Sequence, residues 1–173
     1  MLNTMIIDNF FDNFELLEPE FKKIPIYEQK DFPEDIPKDI LWPGKRSLQL
    51  GRTHPFIWQL TNKEIQTKCG NEKLIHARWK MSVNIHLRLS EDDEKDYIHT
   101  DPDDWTMIVF LSKTNLKSGL SIYNNDNEET QNIKFVQNRA VIFNGRQPHR
   151  SSLNYGDNID NGRLTLNCFI NFL

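Results

Sequence analysis

Hydrophobic alternation is concentrated in the second half of the chain. Residues 81–89 set Val83, Ile85, Leu87 and Leu89 on one side and Asn84, His86 and Arg88 on the other. That is the period-two pattern of a strand with one apolar face. Residues 162–170 alternate as cleanly, with Arg163, Thr165 and Asn167 opposite Leu164, Leu166 and Cys168. Residues 105–111 are nearly continuous in apolar character, as a buried central strand requires. Shorter strand patterns occupy 118–123, 132–136 and 139–143, punctuated by the turn-rich stretch 124–127 and by Asn144 and Gly145. Short strands at this spacing predict an antiparallel sandwich or jelly roll rather than βαβ units.

The first eighty residues follow another pattern. Phe14 to Leu17 suit a short helix, after which Pro25, Pro33, Pro37 and Pro43 cut the chain into extended pieces. The apolar, proline-containing stretch 40–44 suits a wrap over a core. Residues 55–68 predict the best helix. Pro55 fits its first turn, Phe56, Ile57, Leu60, Ile65 and Cys69 share a rough stripe, and Gly70 stops it. His54 falls in the turn leading into that helix, and His76 on the solvent face of a strand around 74–79. No repeat or internal boundary stands out, so residues 1–173 are expected to form a single domain. Residues 1–80 would be its helical and extended support, and 81–173 its core.

Composition narrows the classes. Charged residues make up 27% and hydrophobic residues 38%, which excludes wholesale disorder. A net charge of −4 and no basic, aromatic-interleaved stretch give no indication of nucleic acid as a partner. Cys69 and Cys168 lack metal-type spacing and read as free thiols. The chain shows no signal-like start and no apolar run long enough to cross a bilayer. The expectation is a soluble cytoplasmic protein without a membrane partner; its oligomeric state is not encoded in any pattern.

Chemistry enters at His99, Asp101 and His149. On a strand, His99 and Asp101 project to the same side and can chelate one ion, with His149 arriving from a distant strand. Two histidines and one carboxylate form the ligand set that holds non-haem Fe(II) and leaves positions open for other ligands. A lone His-x-Asp is a weak signal and is most often a surface pair; the surrounding strands supply its specificity. Arg163 has a competing reading as a strand-edge residue paired with Asp157 or Asp160. Arg146 and Arg150, which flank His149, would face solvent, and Trp105 would be core. Trp42 and Tyr155 are aromatic candidates for substrate contact. The acidic run 91–96 lacks the register of a calcium loop and reads as a solvated loop.

Taken in order, the run Tyr-Ile-His-Thr-Asp at 97–101, the apolar strand 107–111, Ser-Gly-Leu at 118–120, Asn-Arg-Ala-Val-Ile-Phe at 138–143, Pro-His-Arg-Ser at 148–151 and Gly-Arg-Leu-Thr at 162–165 resemble the iron- and 2-oxoglutarate-dependent oxygenases. The pattern is similar to their prolyl-hydroxylase-like branch, and it covers about half the chain. The resemblance implies a mainly β fold with flanking helices, a double-stranded β-helix (a distorted, cupin-like jelly roll). It implies Fe(II) on His99, Asp101 and His149, with 2-oxoglutarate and O2 in the open positions. It also implies that Arg163 holds the far carboxylate of 2-oxoglutarate, a task suited to a planar, permanently charged fork. Thr165 would add a hydroxyl, and Asn84 and His86 further co-substrate contacts, with His86 standing where some relatives carry Tyr. The implied reaction is hydroxylation of a C–H bond with release of succinate and CO2, a peptide or protein side chain being the favoured substrate. Two rivals are a jelly-roll metalloenzyme that does not use 2-oxoglutarate and a non-catalytic jelly-roll module. Arg163 speaks against the first, and Asp101 against a halogenase, which lacks that ligand.

Overall fold

The alternating segments become antiparallel strands in two facing sheets. The protein is described by a computed structural model covering residues 4–34, 42–70 and 78–173. In chain order the elements are β1 (Met5–Ile7), α1 (Phe14–Lys23), β2 (Tyr27–Glu28), β3 (Lys45–Arg46), α2 (Leu50–Thr53), α3 (Pro55–Lys68), β4 (Trp79–Arg88), β5 (Trp105–Phe110), β6 (Asn115–Tyr123), β7 (Glu129–Phe135), β8 (Ala140–Asn144), β9 (His149–Ser151) and β10 (Arg163–Phe172). Among the described residues the larger sheet runs β1-β8-β5-β10-β4-β3-β2 and the smaller β7-β6-β9.

The smaller sheet is extended by the chain around His99, which pairs with His149 in an isolated antiparallel bridge. The two exchange N–H···O bonds of 3.0 and 2.9 Å, and the Asp101 N–H donates to Gly145 O at 2.8 Å. With that segment counted, strands from β4 onward alternate between the larger and the smaller sheet except at the β6–β7 hairpin, which lies wholly in the smaller one, as in a double-stranded β-helix. The regular strand expected to carry His99 and Asp101 is therefore reduced to a single bridge. Pro102 explains this: it has no N–H to continue a ladder, and the chain must turn at once into β5.

Apolar layering accounts for the two kinds of strand pattern. One core lies between the larger sheet and the N-terminal elements, including Val83, Ile85, Leu87, Met107, Val109, Ile142, Leu164, Leu166 and Cys168. A second lies between the sheets, formed by Ile108, Phe110, Leu120, Ile122, Ile133, Phe135, Val141 and Phe143. Strands β5 and β8 contribute to both, so they are apolar throughout. Strands β4 and β10 meet only the first core, and their polar residues face inward.

The N-terminal expectations hold in part. Helix α3 starts at Pro55 and ends before Gly70, whose φ is +55°. Its buried stripe is Ile57, Thr61, Glu64 and Ile65, while Phe56 is 66% exposed because it lies about 100° around the helix from Ile57. Helix α1 extends well past the expected turn, through Pro19, with Phe14 and Phe21 buried beneath it. Trp105 is core, as expected. The segment holding His76, and residues 40 and 41, lie outside the described residues. No described helix is long and apolar enough to cross a membrane.

Candidate active site

His99, Asp101 and His149 converge so that one ligand atom from each lies within 4.8 Å of the others. The imidazole centroids are 4.5 Å apart, and His149 Nε2 is 3.5 Å from Asp101 Oδ2. Backbone carbonyls orient both rings: His99 Nδ1 meets Tyr97 O at 3.0 Å and His149 Nδ1 meets Gln147 O at 2.9 Å. A carbonyl only accepts, so each Nδ1 donates to it, which leaves Nε2 as the nitrogen free to meet a metal. Thr106 Oγ1 donates to Asp101 Oδ2 at 2.5 Å, fixing the carboxylate. Burial holds the His149 imidazole below its usual range, against the opposing field of Asp101. A neutral, Nε2-open histidine is the form a metal takes.

The triad opens on a cavity between the sheets, also lined by Arg46, His86, Arg88, Arg163 and Thr165. Register explains the grouping. In the β4–β10 ladder Arg163 is opposite Arg88 and Thr165 opposite His86, while Arg46 on β3 pairs with His86 from the other side. Strand β3 is kept there by its continuation: Ser47 N–H donates to Ile85 O at 2.9 Å, and Val83 N–H to Gln49 Oε1 at 3.0 Å.

Arg163 is 4% exposed. Its Nη2 donates to Gly119 O at 3.2 Å, its Nε has no partner, and its guanidinium carbon lies 5.8 and 5.6 Å from the Phe110 and Phe135 rings. Among the described residues no ion pair joins it to Asp157 or Asp160. Burial, reinforced by the Arg88 charge, lowers its pKa to about 10. His86 is buried with Nε2 unpartnered; burial and then the charges of Arg46, Arg88 and Arg163 push its pKa well down, so it is neutral. Thr165 faces the cavity and donates to Asn167 Oδ1 at 2.7 Å. Asn84 does not line the cavity. Its amide donates to Ser47 O at 2.9 Å and accepts from Gln49 Nε2 at 3.1 Å, and Asn167 across the ladder faces the cavity beside Thr165.

Several lining residues escape sequence reasoning. Arg150 faces this cavity rather than solvent, whereas Arg146 is exposed as expected. The acidic run is not wholly solvated: Asp92 is buried and accepts the Leu89 N–H, and Asp96 lines the cavity, held by Ser151 Oγ and Asn154 Nδ2. Burial opposes ionisation of Asp96, but the Arg88 charge and those hydrogen bonds outweigh it and keep the pKa low. Arg88 shares an inward face with His86 by simple alternation, and Thr106 is the polar residue in an otherwise apolar strand. Arg46, on a two-residue strand, leaves no periodic signal.

No protein-family profile matches the chain, and neither does any curated protein. Solved structures match it in shape. The α-ketoglutarate-dependent epimerase SnoN of nogalamycin biosynthesis aligns with a TM-score of 0.68 at 11% identity, over 96% of this chain and 76% of its own. An oxidoreductase of the 2OG-Fe(II) oxygenase family from Burkholderia pseudomallei gives 0.65 at 12% identity, over 97% and 84%. The viral collagen prolyl hydroxylase of Paramecium Bursaria Chlorella virus-1, in its 2OG complex, gives 0.58 at 13% identity, over 96% and 94%. The chain has the fold of the Fe(II)/2-oxoglutarate oxygenases. In this oxygenase fold the His99 segment and β9 bring the triad from the smaller sheet, and β10 brings Arg163 from the larger.

Proposed function

We propose that the protein is an Fe(II)- and 2-oxoglutarate-dependent oxygenase that hydroxylates a C–H bond of its substrate. The observation that carries this reading is the pairing of two features in one cavity. One nitrogen from each imidazole and a carboxylate oxygen converge within 4.8 Å, and Arg163 stands buried in the same space with no ion-pair partner among the described residues. The donor set fits Fe(II): neutral imidazoles and one carboxylate bind on one face.

Bound there, Fe(II) with 2-oxoglutarate and O2 supplies the oxidising chemistry, one oxygen atom entering the substrate C–H bond and the other succinate as CO2 leaves. The chain's own residues bind and orient. His99, Asp101 and His149 would hold the metal, with Tyr97 O, Gln147 O and Thr106 fixing their directions. Arg163 would receive the far carboxylate of 2-oxoglutarate, with Thr165 and His86 beside it. The sheets' apolar core, through Phe110 and Phe135, excludes water behind Arg163 and strengthens that pairing. Neutral His86 can donate a hydrogen bond to a carboxylate without adding charge.

Anaerobic titration with Fe(II) and 2-oxoglutarate tests the reading. A visible metal-to-ligand charge-transfer band should require both additions and vanish in His99→Ala. Absence of the band in folded, initially metal-free wild-type protein would favour a jelly-roll module without this chemistry.

A further inference from the structure

The site holds more positive charge than the proposed co-substrate uses. On that reading Fe(II) and Asp101 together leave one positive charge, Arg163 adds another, and the two carboxylates of 2-oxoglutarate neutralise both. Arg46, Arg88 and Arg150 remain. The other carboxylates lining the inner cavity or its outer continuation are Asp96 and, at the outer rim, Asp103, and the buried Asp92 adds a third negative charge that acts on Arg88. Among the described residues none of these three arginines has a carboxylate within 4.0 Å.

Two of the three stand at a particular place. A second cavity of about 310 Å³ continues outward from the first, and the residues that line both are Arg46, Arg88, Asp96, His99, Asp101 and Phe169. Arg46 and Arg88 therefore flank the metal ligands on the side open to an arriving substrate, whereas Arg163 lines the inner cavity alone. Arg88 is 8% exposed and its Nη1 has no hydrogen-bond partner; Arg46 Nε likewise has none. Arg46 lies with its guanidinium carbon 4.5 Å from the Trp42 ring centroid, which orients the planar fork. Buried donors are nearly always paired in folded proteins, so unpaired guanidinium nitrogens lining a cavity mark the position of an absent acceptor.

We propose that the substrate carries an oxyanion group, a carboxylate or a phosphate, seated by Arg46 and Arg88 beside the metal ligands. This rests on the oxygenase reading for the assignment of Arg163 to the co-substrate. Burial, followed by the Arg88 charge, lowers the Arg46 pKa to about 10, and burial lowers that of Arg88 as well, the cost that an arriving anion relieves. A planar guanidinium pair accepts either oxyanion through two parallel N–H···O bonds, and Trp42, Pro43, Tyr97 and Phe169 offer apolar walls to the rest of the molecule.

Anaerobic protein loaded with Fe(II) and 2-oxoglutarate is titrated calorimetrically, at constant ionic strength, with inorganic phosphate and separately with acetate. Saturable binding of at least one anion to the loaded protein is expected, and the stronger of the two identifies the group. Arg46→Gln should weaken that anion at least tenfold and change 2-oxoglutarate affinity less than twofold, with Arg46→Lys recovering part of the loss. Arg163→Gln should do the reverse. Arg46, half-buried at the mouth, can be replaced with less risk to folding than Arg88, and circular dichroism checks each variant. No saturable anion binding to loaded wild-type protein overturns the proposal. So does a loss of 2-oxoglutarate affinity in Arg46→Gln equal to that in Arg163→Gln, which would give both arginines to the co-substrate. If 2-oxoglutarate does not bind wild-type protein at all, the oxygenase reading itself fails, a separate result.

Discussion

Replacing Arg163 with methionine should make the empty protein more stable and leave it unable to hold 2-oxoglutarate. A similar unbranched side chain would occupy the space between Phe110 and Phe135 without a charge. Burial, reinforced by the Arg88 charge, lowers the Arg163 pKa to about 10, a cost of about 3 kcal/mol for the charged form. The Gly119 O hydrogen bond and the two ring contacts return about half of that. A net gain of about 1–2 kcal/mol remains, on the order of 5 °C in Tm for a chain of this size. The sign with pH follows from linkage. A basic group whose folded-state pKa lies below its unfolded value subtracts stability at every pH below the folded pKa, and the penalty fades only as pH rises above about 10 toward the unfolded arginine value. The difference between variant and wild type should thus be flat from pH 6 to 9.

Calorimetric melts of the two proteins, metal-free and then anaerobic with Fe(II) and 2-oxoglutarate, test this. Ligand at about a hundredfold excess over its Kd should raise the wild type by about 2.7 kcal/mol and move the variant little, reversing their order. If Arg163→Met lowered the Tm of the metal-free protein by several degrees, Arg163 would be a structural strut satisfied by its own fold. The reasoning that assigns it to a ligand would then fail.

Two further substitutions probe the supports of the site and of the fold. Thr106→Val removes the hydroxyl that donates to Asp101 Oδ2 at 2.5 Å while keeping its shape, and Fe(II) affinity should fall about 10–100-fold in anaerobic titration; unchanged affinity would mean the carboxylate is oriented without it. Asn138→Ala removes two 2.9 Å side-chain bonds to the Phe11 backbone at a position with φ of +60°. Urea unfolding should show a loss of about 2–4 kcal/mol, larger than for Asn138→Gly, which tolerates that backbone conformation.

What the chain revealed in advance follows from how locally each feature is encoded. Strands β4 and β10 were legible because one face meets a core and the other a polar cavity, the alternation that period-two patterns report. Strands β5 and β8 were legible as apolar runs, since both faces are covered. His99, Asp101 and His149 were legible as residue types at a spacing, yet the local structure differed: a proline reduced the expected strand to one bridge while a partner residue kept the geometry. Asn84 falls outside the cavity lining for a physical reason. Alternation told which face it occupies but not that Ser47 and Gln49, from a segment without pattern, would take its amide. Arg46 was invisible on the same ground, because its place is set by a two-residue strand pairing with residues forty or more positions away.

The distribution of charge separates the ligand site from the scaffold. Everything that holds the sheets together, the helix-side core and the cluster around Phe110 and Phe135, could be kept with Arg46, Arg88 and Arg163 replaced by uncharged side chains. Desolvated guanidinium groups without ion-pair partners cost stability, and well-packed apolar replacements are often neutral or better. Here such groups line one continuous space that also holds two orienting carbonyl–histidine contacts and a neutral histidine, His86, whose Nε2 has no hydrogen-bond partner. Each unpaired buried nitrogen is unfavourable in the empty protein, and the proposed anions would satisfy it. A cavity built from unmet electrostatic requirements is poor architecture for a structural module and good architecture for a site that must bind a metal and two anionic ligands in turn.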